Sequence, residues 1–114
     1  MNKGILIISF LALLAIQSCK KKDPLDNVDC SKVNAAYAVN VKPIINANCV
    51  SSGCHNANSV NGDFTSYAGL KAKADNGSLN SRVIQQKTMP PSSPLSLSDL
   101  KSIKCWIDSG SPNN

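Results

Sequence analysis

The chain of 114 residues has no glutamate, one histidine and, apart from Met1, one methionine. Aromatic residues are also scarce. After residue 18 they are Tyr37, Phe64, Tyr67 and Trp106. A small domain with so few bulky side chains buries only a thin core, and such domains usually depend on a disulfide, a metal or a cofactor. The lack of glutamate and of a second histidine also leaves few groups for acid–base catalysis.

The chain has no large excess of charge of either sign. Twelve Lys and Arg residues against seven Asp residues give a net charge of +5, and removal of Lys3 with a signal peptide leaves 11 against 7, or +4. A basic excess this small does not indicate nucleic acid as a partner. Most of the lysines are therefore expected on a solvated surface.

No apolar stretch is long enough to span a bilayer. The longest is the mainly apolar run of 12 residues from Ile5 to Ile16, which follows Lys3 and has the length of the hydrophobic region of a secretion signal. The sequence Ile16-Gln17-Ser18-Cys19 resembles the lipobox of bacterial lipoproteins. This resemblance implies a signal peptide over 1–18, lipidation of Cys19, and an exported, membrane-anchored protein in the periplasm or at the cell surface. A plain secretion signal cut near Ser18 is the alternative.

Residues 19–29 are charged and poor in apolar side chains, which predicts a polar, lipid-anchored tether. The three lysines that follow Cys19 could also contact anionic lipid headgroups. The folded domain is predicted over residues 30–114.

Hydrophobic periodicity predicts an all-α domain without strands. Tyr37, Val41, Ile44 and Ile45 follow a helical repeat, and a helix with Asn40 as N-cap and Pro43 in its first turn would end near Asn48. Further helices are predicted over 66–75 and 79–86, and the last one begins after the Ser96 cap and ends at Gly110. The prolines of residues 87–94 predict an extended loop.

The candidate functional residues lie in Cys49-Val-Ser-Ser-Gly-Cys54-His55 and in the Met89-Pro-Pro loop. Cys-x-x-Cys-His is the attachment signature of c-type haem, and here four residues separate the two cysteines instead of two. The intervening residues are small, and Gly53 can adopt backbone angles that other residues avoid. His55 is the chain's one histidine, and Met89 lies in a loop that has no helical face to join.

The order of these motifs resembles that of small class I, mono-haem cytochromes c. In that family a helix precedes the haem-attachment loop, a Met-Pro loop follows, and a C-terminal helix with an aromatic residue crosses the first helix. The resemblance covers roughly residues 36–110. It implies cytochrome c-like helices around one covalent haem c attached to Cys49 and Cys54, with His55 and Met89 as axial ligands of the iron.

The function that the resemblance implies is one-electron transfer and not catalysis. With both axial positions filled, no open site remains for a small-molecule substrate. The partners would be redox proteins, possibly acidic ones, together with the membrane that holds the lipid anchor. The lysines that could steer an acidic partner are Lys71, Lys73, Lys87, Lys101 and Lys104.

Haem attachment through Cys49 and Cys54 leaves Cys30 and Cys105, which are expected to form a disulfide in an exported protein. In the cytochrome c fold the elements that carry these two cysteines meet. Two free buried thiols are the alternative.

Three other interpretations remain open from the sequence. The first is a haem-free binding or structural lipoprotein in which Cys49 pairs with Cys54 and Cys30 with Cys105. The second is a zinc site that combines Cys49, Cys54 and His55 with a distant cysteine. The third keeps the haem as a sensor or weak peroxidase in which Met89 dissociates, although the chain supplies no distal histidine or glutamate for that chemistry.

Overall fold

The structure is a computed structural model, and it describes residues 20–51 and 53–114. The predicted signal peptide and the predicted lipidation of Cys19 lie outside these residues. Among the helices of the described residues, none is both long and apolar enough to cross a membrane.

The described residues form helices and turns and contain no strand. The α-helices are α1 (Lys42–Asn48), α2 (Tyr67–Asp75) and α3 (Leu97–Asp108). A 3₁₀ turn covers Cys30–Lys32, and two π-helical segments cover Tyr37–Val41 and Asn80–Gln85. The predicted all-α class is confirmed at this level of detail.

The helical stretch that leads to Cys49 begins earlier than predicted, with the π-helical turn over Tyr37–Val41 ahead of α1, and Asn40 is not an N-cap. The turn begins after Ala36, whose carbonyl accepts hydrogen bonds from the N–H groups of both Asn40 and Val41. The side chain of Asn40 instead reaches back and accepts from the N–H of Ala36 at 3.2 Å. The wide π-helical turn over Tyr37–Val41 leads directly into α1, so Pro43, which has no N–H to donate, falls at the start of the α-helical hydrogen-bond pattern.

The last helix, α3, begins after the Ser96 cap and ends shortly before Gly110, as the sequence predicts. The Oγ of Ser96 accepts from the N–H of Asp99 at 3.1 Å, and Gly110 follows the helix with a φ of +89°. Ile103 and Trp106 have no exposed surface. Beyond the helix, the indole N–H of Trp106 donates to the carbonyl of Pro112 at 2.8 Å, which ties the C-terminal tail to the core.

The core lies where the first and last helices meet. Val41 and Ile45 from the first helix pack with Trp106, and the ring of Tyr37 lies 5.7 Å from the Trp106 ring between centroids. Leu70 of α2 is fully buried in the same cluster. Cys49 directly follows the last turn of α1.

The segment predicted as a free tether also contributes to the packed structure. Leu25 is only 3% exposed and belongs to the core cluster. Asp23 accepts from the N–H of Leu25 at 2.9 Å, and its other carboxylate oxygen lies 2.6 Å from the Nζ of Lys87. The packed part of the chain therefore extends at least to Leu25, ahead of the predicted boundary at Cys30.

The predicted disulfide between Cys30 and Cys105 is confirmed. It joins the 3₁₀ turn to α3 across 75 residues of sequence, with a Cα–Cα distance of 5.4 Å. Because the loop that it closes is long, the bond removes much conformational entropy from the unfolded chain.

Replacing both bonded cysteines, as in Cys30→Ala with Cys105→Ala, is expected to lower the free energy of unfolding by about 4 kcal/mol, the chain-entropy value for a loop of this length. Alanine is preferred to serine because Cys105 is 3% exposed, and a buried hydroxyl would add a cost of its own. Urea unfolding at fixed protein concentration measures the difference. A loss below about 1 kcal/mol would show that the bond does not stabilise the fold in this way.

Candidate functional site

One cavity contains every residue that the sequence predicts for cofactor binding. Its volume is about 540 Å³, and its wall includes Cys49, Cys54, His55 and Met89. That volume lies within the usual range for small-molecule and cofactor sites. The apolar part of the wall comes from Phe64, Leu79, Val83, Pro90 and Pro91. Residues that are about 40 positions apart in sequence thus face the same space.

The His55 ring is held in one orientation by two contacts. It stacks on the ring of Phe64 with centroids 3.9 Å apart and an angle of 2° between the planes. Its Nδ1 lies 3.2 Å from the carbonyl oxygen of Gly62. Since a carbonyl can only accept a hydrogen bond, this contact requires a proton on Nδ1, and Nε2 is the ring nitrogen that remains for a ligand or metal.

The backbone around His55 is closed into a small loop. The N–H of His55 donates to the carbonyl of Cys49 at 3.1 Å, and the carbonyl of His55 accepts from the N–H of Phe64 at 2.9 Å. Phe64 is 6% exposed and belongs to the core cluster, so the imidazole is supported from the interior of the protein.

Phe64 and Gly62 both contact the His55 ring, and neither was predicted from the sequence to belong to the candidate site. Gly62 has a φ of +110°, and a Cβ there would lie 2.9 Å from the Cε of Lys73. The positive φ favours a glycine at this position, and the lysine side chain packs closely against it. One feature of the sequence could have indicated this contact with His55. Phe64 is the single aromatic residue of the otherwise polar loop that follows His55.

The two cysteines of the motif are thiols in this structure and are not bonded to each other. Cys49 directly follows α1, and the N–H of Cys54 donates to the carbonyl of Ser51 at 3.0 Å. Gly53 has a φ of +79°, so the longer spacing between the cysteines is accommodated by a left-handed turn, as the small residues predict. Both thiols are only partly exposed.

Burial raises the pKa of the Cys49 thiol to about 11, and the neighbouring Cys54 contributes to the shift. The thiolate is the reactive form of cysteine. Relative to a thiol with the ordinary pKa of 9.0, Cys49 has about a hundredfold less thiolate at neutral pH.

For the haem-free chain, alkylation of Cys49 by iodoacetamide is thus expected to be slow at pH 7. The thiolate fraction grows with pH up to the pKa of the thiol, and for Cys49 that pKa is raised to about 11. The alkylation rate should therefore increase about tenfold for each pH unit until the pH nears 11. Mass spectrometry of peptides quenched at successive times gives the rate at this position. A rate that stops rising near pH 9 would contradict the effect of burial.

Met89 lies in the loop over residues 87–94 and lines the same cavity as His55. Residues 87–94 form no helix, as their prolines predict. The N–H groups of Thr88 and Met89 both point to the carbonyl of Arg82, at 2.9 and 3.3 Å, so the loop is attached to the end of the π-helical segment over Asn80–Gln85. Met89 is 40% exposed. Met89 lines the cavity and is not part of the apolar core.

The structure offers little support for a zinc site. Over residues 20–51 and 53–114, no three His, Cys, Asp or Glu side chains form a group that could hold a metal ion. Cys30 and Cys105 are bonded to each other, so neither is available to join Cys49, Cys54 and His55 as a fourth ligand.

The lysines predicted to attract an acidic partner are not equivalent. Lys71, Lys87 and Lys104 each form an ion pair with an aspartate. Lys73 forms none among the described residues, and it lines the cavity. Of these five lysines, Lys73 is therefore the one whose positive charge could act at the cavity.

Comparison with models of protein families, with curated proteins and with solved structures finds no match to this chain.

Proposed function

We propose that this protein is an electron carrier that holds one covalent haem c in the cavity between the Cys49–His55 loop and the Met89 loop. The observation that carries the proposal is that two free thiols, an imidazole with an available Nε2 and a thioether line one cavity. When bound, the haem supplies an iron that exchanges a single electron between Fe(III) and Fe(II).

Each residue has a distinct role in this proposal. Cys49 and Cys54 hold the cofactor through thioether bonds, which prevents its loss outside the cell. His55 would hold the iron through Nε2, while the contact of Nδ1 with the carbonyl of Gly62 orients the ring, as is usual for histidines that bind metals. Met89 would hold the iron through its sulfur.

The walls of the cavity support a large apolar cofactor. Leu79 and Val83 are 3% and 5% exposed and join the cavity to the hydrophobic core. Pro90 and Pro91 restrict the backbone of the Met89 loop. If both His55 and Met89 held the iron, no coordination position would be open to a substrate, and the haem would supply electron transfer and not catalysis.

The proposal includes export and membrane attachment. The Cys30–Cys105 disulfide is compatible with an oxidising compartment. Lipidation of Cys19 would hold the carrier at a membrane, and its partners would be redox proteins that can reach the cavity.

The direct test is expression together with a c-type cytochrome maturation system. The purified protein is denatured and extracted with acidic acetone, and the haem is expected to stay with the polypeptide. Mass spectrometry of the chain should show the added mass of one haem. The Cys49→Ser and Cys54→Ser variants should each retain one thioether bond, and the double variant should release all haem into the acetone.

The haem-free lipoprotein is the outcome that would replace this proposal. In that case the wild type would be colourless. Thiol labelling after unfolding would leave Cys49 and Cys54 unlabelled, because they would be joined in a disulfide. Complete release of haem from the wild type into acetone would show that haem is bound but not covalently attached. It would therefore overturn only the thioether bonds of the proposal.

A further inference from the structure

Two cations without a carboxylate partner lie beside the cavity. Lys73 and Arg82 both line it. The ion pairs of the described residues involve other lysines, and neither Lys73 nor Arg82 takes part in one. Among the residues that the structure describes, no aspartate lines the cavity, and the chain contains no glutamate. The formal charges of the cavity wall are therefore all positive, apart from the titratable groups of Cys49, Cys54 and His55.

Contacts in the structure bring Lys73 and Arg82 close to the two residues proposed to hold the iron. The side chain of Lys73 packs against Gly62, whose carbonyl oxygen lies 3.2 Å from the Nδ1 of His55. The carbonyl of Arg82 accepts from the N–H of Met89. One cation thus belongs to the wall that carries His55 and the other to the wall that carries Met89.

A wholly apolar ligand would fill the cavity without neutralising either charge. Two carboxylates would pair with both, and hydrogen bonds between charged partners are stronger than those between neutral ones. We infer that Lys73 and Arg82 bind the two carboxylate groups of the tetrapyrrole. This inference rests on the proposed function and goes beyond it, because neither residue is needed for attachment or for axial ligation.

This assignment has a measurable consequence for the midpoint potential. A neighbouring cation lowers the pKa of a carboxyl group, so the carboxylates stay ionised to lower pH. Ionisation of a carboxyl near the iron stabilises Fe(III), and the potential therefore falls as the pH rises through the carboxyl pKa. Removing the cations raises that pKa and moves the fall in potential to higher pH.

The test measures the midpoint potential of the holoprotein as a function of pH. In the double variant Lys73→Gln with Arg82→Gln, the pH at which the potential falls should increase by about one unit, which is a tenfold increase in proton affinity of the carboxyl. Lys101→Gln is the matched control, because Lys101 also lacks an ion pair among the described residues but does not line this cavity. Arg82→Lys keeps the charge and should largely preserve the wild-type profile.

A second measurement observes the carboxyl groups themselves. In redox difference infrared spectra, the C=O stretch of a protonated carboxyl should persist to higher pH in the double variant than in the wild type. If the wild type contains haem and the double variant has the profile and spectra of Lys101→Gln, the inference is overturned and the proposed function stands. If the wild type never acquires haem, both are overturned.

Discussion

His55→Ala is expected to yield almost no stable haem protein, even when the maturation system is present. His55 is the one histidine of the chain, so no other imidazole can take its place. The substitution also removes a ring that stacks on the buried Phe64 at 3.9 Å. The haem content per chain, measured after purification, should fall by at least tenfold.

The matched control is Asn61→Ala, which changes another lining residue of the same cavity without removing a ligand. Imidazole added during expression could occupy the space left in His55→Ala and supply the missing nitrogen. Partial recovery of coloured protein with imidazole would separate loss of ligation from general misfolding. A normal haem yield with an unchanged spectrum in His55→Ala would remove His55 from the site.

Locally encoded features of the fold could be predicted from the sequence. The closing helix combines the Ser96 cap, a regular apolar face and the terminal Gly110, and each of these acts within one or two turns. The Ser66 cap of α2 is equally local, since its Oγ accepts from the N–H of Gly69 at 3.2 Å. Such signals need no information about the rest of the chain.

Features that depend on distant contacts could not be predicted in this way. The start of the first helix is set by a π-helical turn and by the ring contacts of Tyr37 with Tyr67 and Trp106. The burial of Leu25 depends on core residues far along the chain, and the polar composition around it gives no sign of these contacts. Propensity and capping rules describe neighbours in sequence and carry no information on such contacts.

The residues of the candidate site could be selected from the sequence, but the contacts that support them could not. Cys49, Cys54, His55 and Met89 stood out by their rarity and spacing, and the structure places them around one cavity. Their role as haem ligands stays a prediction. The contacts that orient the imidazole come from Phe64, from a backbone carbonyl at Gly62 and from the space that this glycine leaves. Backbone carbonyls have no signature in the amino-acid sequence, so this part of the site becomes visible only in three dimensions.

Met89→Ala is expected to keep the haem and to change its properties. A thioether is a soft ligand that favours Fe(II) over Fe(III), so its removal lowers the midpoint potential. We expect a fall of more than about 59 mV, which is a tenfold change in the Fe(II) to Fe(III) ratio for a one-electron couple. Covalent attachment through Cys49 and Cys54 should be unaffected, because neither cysteine depends on the Met89 loop for its position in the backbone.

The vacated position should also admit small ligands such as cyanide or imidazole, which bind slowly or not at all while the thioether is in place. Leu97→Ala is the matched control, since Leu97 is an apolar side chain of similar exposure, 43% against 40%, and it does not line the cavity. Its potential and ligand binding should equal those of the wild type. An unchanged potential in Met89→Ala would remove Met89 from the iron. If ligand binding were already fast in the wild type, the open coordination position would favour a sensor or peroxidase role over electron transfer.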